Sequence, residues 1–365
     1  MVKDKIMRKI AVLFLIFEIL WSNNAVADDA LFVAWKEIEQ NYIERTSNED
    51  LAIIALKSLN KLDNNIQVAN DASRVTLYYN TKVFKNLNKP SSDNIGDWKH
   101  LVDRAVALFS QVSDSLVLKD YEIQDVMLEA MVASLDVDSK YHTAFDLVDE
   151  KAFSKKRYFA SRMIGEILYV RMAGFSDDVV EKFADVLKKE TVAKGLILDL
   201  RGNKGGSLDA VVKIGNMLLD GGVMFESKGR DASMNLLYEA TKGDDFVEKP
   251  IILLVDANTA SSAEILAGVL QEQSRAKLMG TATYGKATSQ KVMTLPNDSI
   301  LMLTNAHLNL PSEKSFARVG LRPDYCLSTV KKNDVWQKSL NCPKEDRLDN
   351  DADIDEAIKV LEMQI

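Results

Sequence analysis

Two adjacent serines, Ser261 and Ser262, follow the apolar run "PIILLVDA" and open a helical pattern, "NTASSAEILAGVLQEQ". A strand-to-helix turn exposes a side chain beside unpaired main-chain N–H groups and the positive end of the helix dipole. An oxyanion forming there would be stabilised, so a serine at this point could attack a carbonyl. Asn, Thr and Ser are also the ordinary residues for capping a helix, and the turn alone does not separate the two roles. A nucleophile needs a base. The three histidines, His100, His142 and His307, have no sequence context that places them beside Ser261. Lysine is the other partner used by serine nucleophiles, and "TYGKATSQ" supplies Lys286 after a strand and a glycine. A lysine acts as a base when its pKa falls from about 10.4 towards roughly 7–8. Burial does this by disfavouring the ammonium, whereas a carboxylate partner works the other way. Gln290, four residues on, could orient the amine through its amide oxygen without adding charge.

"DLRGNKGGSL", Asp199 to Leu208, is a second loop with chemical potential. Gly205 and Gly206 allow a main-chain N–H to point into a cleft. Phosphate binding is the rival use of such a loop, but neither the Walker pattern nor G-x-G-x-x-G is present. No cysteine or histidine cluster has zinc spacing, so neither a metal nor another cofactor is expected.

The elements that must carry these residues read as alternating strands and helices. "GEILYVRMAGF", "KGLILDLRG" and "PIILLVDA" are apolar strand patterns, and "AKLMGTAT", "QKVMTLP" and "SILMLTNAHLNLP" are further strands. Between them run amphipathic helices, "SDDVVEKFADVLKKETVA" with a Ser/Asp cap and "SLDAVVKIGNMLLDGG" ending at two glycines. Continuous apolar strands alternating with helices predict an α/β core with a mainly parallel sheet. Residues 28–145 read as a helical domain, and Leu62-Asp63 recurs as Leu135-Asp136 in what reads as a duplicated helical hairpin. Residues 331–365 are a C-terminal segment ending in a helix.

The chain has 365 residues, 47% of them hydrophobic, which is ample for a large core and a smaller second one. A net charge of −8 speaks against a nucleic-acid partner. Residues 1–27 have a basic start, an apolar stretch and Ala25-Val26-Ala27 before Asp28, the pattern of a cleaved signal peptide. Export to the periplasm follows from that reading. In an exported chain the only two cysteines, Cys326 and Cys342, could close one disulfide or stay as separate thiols, and the compartment favours the bond.

Taken together, "KGLILDLRGNKGG", "DANTASSAEILAGVLQEQSRAKLMGTATYGKATSQ" and "FARVGLRPD" resemble the carboxyl-terminal processing (tail-specific) proteases, serine peptidases of the S41 type. The resemblance covers roughly residues 164–326 and the helical stretch ending "LDVDSKY", and implies a crotonase-like α/β protease core at residues 164–330. It implies Ser261 as nucleophile, Lys286 as general base and Gln290 as the residue that orients it. It also implies an oxyanion hole from the N–H groups of Ser262 and Gly205, and an accessory acid at Glu264. Lys204 and Ala287 stand where the family usually has proline and glycine. Family members generally carry a PDZ domain before the core. Here a short connection, residues 146–163, takes its place, so substrate capture is expected through the helical regions, an adaptor or self-association. The expected activity is that of an exported serine endopeptidase acting on cell-envelope proteins. The alternatives are an inactive or regulated peptide-binding scaffold, or acyl-group chemistry on a crotonase-like frame.

Overall fold

A computed structural model describes residues 29–144, 159–313, 315–328 and 342–365. The signal-peptide expectation at residues 1–27 and most of the connection at 146–163 lie outside the described residues. The described residues fall into two compact units. One is drawn from Met1–Glu150 and Lys291–Leu303, the other from Lys151–Gln290 and Thr304–Ile365.

In the first unit α1 (Ala30–Asn41) starts where the Asp29 carboxylate accepts the N–H of Leu31 at 2.9 Å. Ser47 likewise caps α2 (Asn48–Ser58), accepting from Asp50 N–H at 3.2 Å. Three antiparallel strands follow: β1 (Ile66–Asn70), β2 (Arg74–Tyr79) and β3 (Lys82–Asn88). This sheet corrects the expectation that residues 28–145 are helical throughout. Val75 and Leu77 are buried and alternate with polar Arg74 and Thr76, a period of two rather than 3.6. Asn80 and Thr81 both have positive φ, 50° and 65°, so the β2–β3 connection is a two-residue hairpin turn of the kind that matches strand twist. The chain continues through α3 (Ile95–Phe109), α4 (Asp114–Leu118), α5 (Asp120–Ala133) and β4 (Lys140–His142). The twin dipeptides occupy like places: Asp63 accepts the N–H of Asn65 after α2, and Asp136 those of Asp138 and Ser139 after α5. Trp35, Leu56, Val102, Phe109 and Leu128 pack in one core.

The second unit begins with a hairpin, β5 (Phe159–Ile164) and β6 (Ile167–Met172). After α6 (Asp177–Lys189), β7 (Gly195–Asp199) and α7 (Leu208–Asn216) come β8 (Gly222–Gly229), β9 (Leu236–Ala240) and β10 (Ile251–Val255). Then follow α8 (Ser262–Glu272), β11 (Lys277–Gly280), β12 (Thr288–Thr294), β13 (Ile300–Asn309), β14 (Tyr325–Cys326) and α9 (Ala352–Glu362). One sheet has the order β14-β11-β10-β7-β6-β5, parallel except for the β5 edge. Leu196, Leu198 and Leu253 face a core shared with α6, α7 and α8. Ile197, Ile252 and Leu254 face Ile354, Ala357 and Leu361 of α9. Burial on both faces explains why β7 and β10 are apolar at every position bar the last of β7. A second, largely antiparallel sheet runs β12-β13-β8-β9. Its outer part, Lys291–Leu303, groups with the first unit, where β4 pairs with Ile300–Met302.

Candidate active site

β10 is followed by Asp256, a buried carboxylate that shapes the turn there. Its Oδ1 accepts the N–H groups of Asn258 and Thr259, both at 3.0 Å, and that of Gly202 across the sheet, also at 3.0 Å. Thr259 Oγ1 donates to Leu200 O at 2.9 Å, and Ala260 N–H donates to Asn203 O at 2.9 Å. The turns after β7 and β10 are thereby locked together.

Ser261 comes next, with φ 59° and ψ −127°. An ordinary N-cap sits in the extended region. A non-glycine residue at positive φ is strained, and such strain persists where the surroundings over-determine it, often at functional sites. Ser261 holds the N-cap position of α8, yet its backbone is bent as no simple cap requires.

Glu264, one turn into α8, is fully buried. One oxygen accepts the N–H of Ser261 at 2.9 Å and that of Lys286 at 2.8 Å. The other accepts the N–H of Gly285 at 2.7 Å and the hydroxyl of Thr283. The main-chain nitrogens of Ser261 and Lys286 therefore cannot lie further apart than the sum of their two distances to that shared oxygen. Burial pushes the Glu264 carboxyl above its ordinary range, against the pull of these hydrogen bonds. Sequence reading left Glu264 as an accessory acid; Ser261-x-x-Glu264 is the spacing of a capping box, the signal that could have assigned it.

The lysine turn is shaped by close approach. Gly285 has φ +94°, and a Cβ there would lie 2.8 Å from main-chain atoms of Arg318. Lys286 is half-buried, and its ammonium has no hydrogen-bond or ion-pair partner among the described residues. Gln290, also half-buried, lies on β12; its Nε2 donates to Thr288 Oγ1 at 2.9 Å.

The glycine loop abuts the serines. A Cβ on Gly205 would lie 2.9 Å from Ser262 Oγ and 3.0 Å from Ser261 Cβ, so only glycine fits. Ser262 Oγ donates to Gly206 O at 3.2 Å. The Gly205 N–H donates to the side chain of buried Asn203 at 2.8 Å, so in this structure it does not point freely at the serine. The next N–H, that of Gly206, has no partner among the described residues. His307 lies exposed on β13, while His100 and His142 belong to the other unit.

Behind these loops lies a buried ionic cluster that sequence reading missed. Arg201 donates to Asp199 at 2.9 and 2.7 Å and to the carbonyls of Arg347 and Asn350 at 2.9 and 2.7 Å. Arg347 in turn binds Asp353 at 2.8 Å. Cys326 and Cys342 are joined by a disulfide, with Cα atoms 5.8 Å apart. From Cys342 the chain runs to carbonyls that accept from Ala282 N–H and Ala257 N–H, both at 2.9 Å. No group of His, Cys, Asp and Glu side chains suited to a metal ion occurs among the described residues, and no described helix is long and apolar enough to cross a membrane.

A serine at positive φ, a lysine whose main-chain nitrogen shares one Glu264 oxygen with that serine's, and a glycine loop packed on the serine meet at strand ends of an α/β sheet. Residues 166–327 match the model of peptidase family S41. The chain is 35% identical over 169 residues to a carboxy-terminal-processing protease of Bartonella bacilliformis, covering 45% of this chain and 39% of that one. The carboxyl-terminal-processing protease of Synechocystis is 29% identical over 201 residues, 54% of this chain and 46% of its own. The chain thus spans less than half the length of these curated relatives. Among solved structures, a photosystem II D1 C-terminal processing protease superposes with a TM-score of 0.51 at 16% identity, covering 80% of this chain and 91% of that one. A lipoprotein from Streptococcus agalactiae gives 0.55 at 17%, covering 89% and 99%. At such identities these two likenesses speak for the fold alone.

Proposed function

We propose that the chain is an exported serine endopeptidase with a Ser261–Lys286 dyad on a crotonase-like core. The observation that carries this is the single Glu264 oxygen that holds the main chains of both residues. Ser261 Oγ attacks the peptide carbonyl carbon while Lys286 Nζ takes its proton. The oxyanion is met by the N–H of Ser262 and one from the glycine loop, Gly205 in the family pattern and Gly206 by its open N–H here. Lys286 returns the proton to the leaving amine, and water then hydrolyses the acyl-enzyme. Gln290 orients the lysine through its amide oxygen. The Cys326–Cys342 bond supports an oxidising compartment, consistent with export to the periplasm. Substrates are proteins of the cell envelope, captured by the first unit, by an adaptor docked on it, or in a homo-oligomer.

The test is cleavage of an unfolded protein by the full chain, with new termini mapped by mass spectrometry. Ser261→Ala and Lys286→Ala should each lower the rate about a thousandfold or more without changing the circular dichroism spectrum. Lys286→Arg should fail as well, because guanidinium stays charged. Substantial turnover by the serine variant would remove Ser261 from the mechanism, and no turnover by the native chain would leave the scaffold reading standing instead.

A further inference from the structure

Lys344 is an exposed residue two positions after Cys342, yet its ammonium is not left to water. Nζ donates to Tyr284 O at 2.6 Å and to Arg318 O at 2.7 Å. A lysine ammonium has three N–H donors, and two of them are thereby spent on main-chain carbonyls. Hydrogen bonds from a charged donor are roughly twice as strong as neutral ones. Both carbonyls bear on Lys286. The peptide unit between Tyr284 and Gly285 is held at its two ends: Glu264 accepts the Gly285 N–H at 2.7 Å, and Lys344 donates to the Tyr284 carbonyl. So is the next one, between Gly285 and Lys286. Glu264 accepts the Lys286 N–H at 2.8 Å, and the N–H of Arg318 donates to Gly285 O at 2.8 Å. Arg318 has φ 64°, a strained value for a non-glycine residue, and its own carbonyl is the second acceptor of Lys344.

The main chain that carries Lys344 is itself fixed. Pro343 O accepts the N–H of Ala282 at 2.9 Å, and Glu345 O accepts that of Ala257, also at 2.9 Å. The bond to Cys326 holds Cys342, the residue before Pro343. We infer that Lys344 is a positioning residue of the dyad: its ammonium bridges Tyr284 O and Arg318 O, holds the two peptide units that lead into Lys286, and so sets the direction in which the Lys286 side chain leaves the turn. Lys344 touches neither substrate nor the reacting atoms and acts only through this turn. The inference rests on the proposed Ser261–Lys286 chemistry.

The test compares kcat, KM and amide exchange in the full chain. Lys344→Met keeps the apolar stem and removes the donors. It should lower kcat about tenfold, since even a small misplacement of a reacting group is costly, with KM unchanged. The urea midpoint should stay near native, as is usual for an exposed residue. Exchange at the Lys286 and Arg318 amides should rise while that of β7 stays as it was. Lys344→Arg keeps the charge and offers donors to both carbonyls, so it should recover about half of native kcat or more. Native kcat in Lys344→Met, or unchanged exchange at those two amides, would overturn the inference. So would a Lys344→Arg variant no better than Lys344→Met, because the donors would then not be what matters. If Lys286→Ala turns over, or the native chain does not, the underlying dyad fails and the inference goes with it. A dead Lys286→Ala beside a fully active Lys344→Met sinks the inference alone.

Discussion

Two buried carboxylate nodes hold the second unit together, and they are built on opposite plans. At Asp199 and Asp353 the partners are guanidinium groups, Arg201 and Arg347, joined by the hydroxyl of Tyr169 on Asp199 at 2.8 Å. At Glu264 every hydrogen-bond donor is neutral: three main-chain N–H groups and the Thr283 hydroxyl. The ionic node pairs its charges, and the Asp199 carboxylate holds the Arg201 guanidinium above its ordinary value despite burial. The Glu264 node leaves burial uncompensated by any cation, which is why that carboxyl is raised. Neutral donors fit the proposed role of Lys286 as a base. Both Glu264 oxygens are committed to shaping the main chain, and neither is left to fix the Lys286 ammonium as a salt bridge. Charge pairing fastens the frame, and N–H donation shapes the loops that carry Ser261 and Lys286.

The largest effect expected from breaking this contrast is at the ionic node. Arg201→Met in the full chain leaves buried Asp199 with the more distant Arg171 guanidinium, at 3.7 Å, as its cation and opens the carbonyls of Arg347 and Asn350. Removing one partner of a buried pair costs about 3–5 kcal/mol, to be read as a drop in the urea midpoint. The disulfide-anchored segment from Cys342 should loosen with it. A loss under about 1 kcal/mol, the worth of an exposed pair, would show that the buried charges are not what fastens the frame.

Next in size is Glu264→Gln, which keeps the shape but replaces one accepting oxygen by a donor. At least one of the four donors loses its acceptor, at about 1–3 kcal/mol. Hydrogen exchange should rise at Ser261, Gly285 and Lys286 while the amides of β6 and β7 stay protected, and turnover should fall by more than the global stability does. Unchanged exchange at those three amides would mean that the turns hold themselves and that Glu264 is a passenger.

The same contrast marks what could be read from the sequence. Ser261 and Lys286 were legible as candidates because a strand-to-helix turn and a glycine turn leave local patterns, and β7 and β10 were legible as strands because both faces of their sheet are covered. Glu264 was legible as an acid but not as an organiser: its partners Thr283, Gly285 and Lys286 lie some twenty residues on, where only folding brings them back. The Arg201 cluster was invisible for the same reason, since Arg347 and Asp353 are about 150 residues away in sequence. β1–β3 were missed because helical patterns flank a short polar stretch whose alternation is confined to single strands. The β5 edge, largely exposed, carries little apolar signal, and the core therefore begins at Phe159, earlier than expected. That the Gly205 N–H rests on the Asn203 side chain while the Gly206 N–H is open was not legible, because the glycines do not spell out that local geometry.

The smallest expected effect is a matter of sign with pH. Glu264 is raised in the folded chain, so the folded state binds its proton more readily than the unfolded state does. Stability from this group is then fully present below the unfolded glutamate value, about 4.3, and is lost as pH rises through the higher folded value. Asp63 in the first unit behaves oppositely. Burial pulls its carboxyl up, but hydrogen bonds from Ser113 and Asn65 outweigh that and hold it below the ordinary range. Its stability is present above the unfolded aspartate value, about 3.9, and is lost as pH falls through the lower folded value. Exchange protection of the Lys286 amide, relative to Glu264→Gln, should therefore grow on acidification through the window just above about pH 4.3. Protection of the Asn65 amide, relative to Asp63→Asn, should hold through that window and shrink only below about pH 3.9. If both differences fall together on acidification, Glu264 is an ordinary stabilised carboxylate, and the distinction between the two nodes reduces to the identity of their donors.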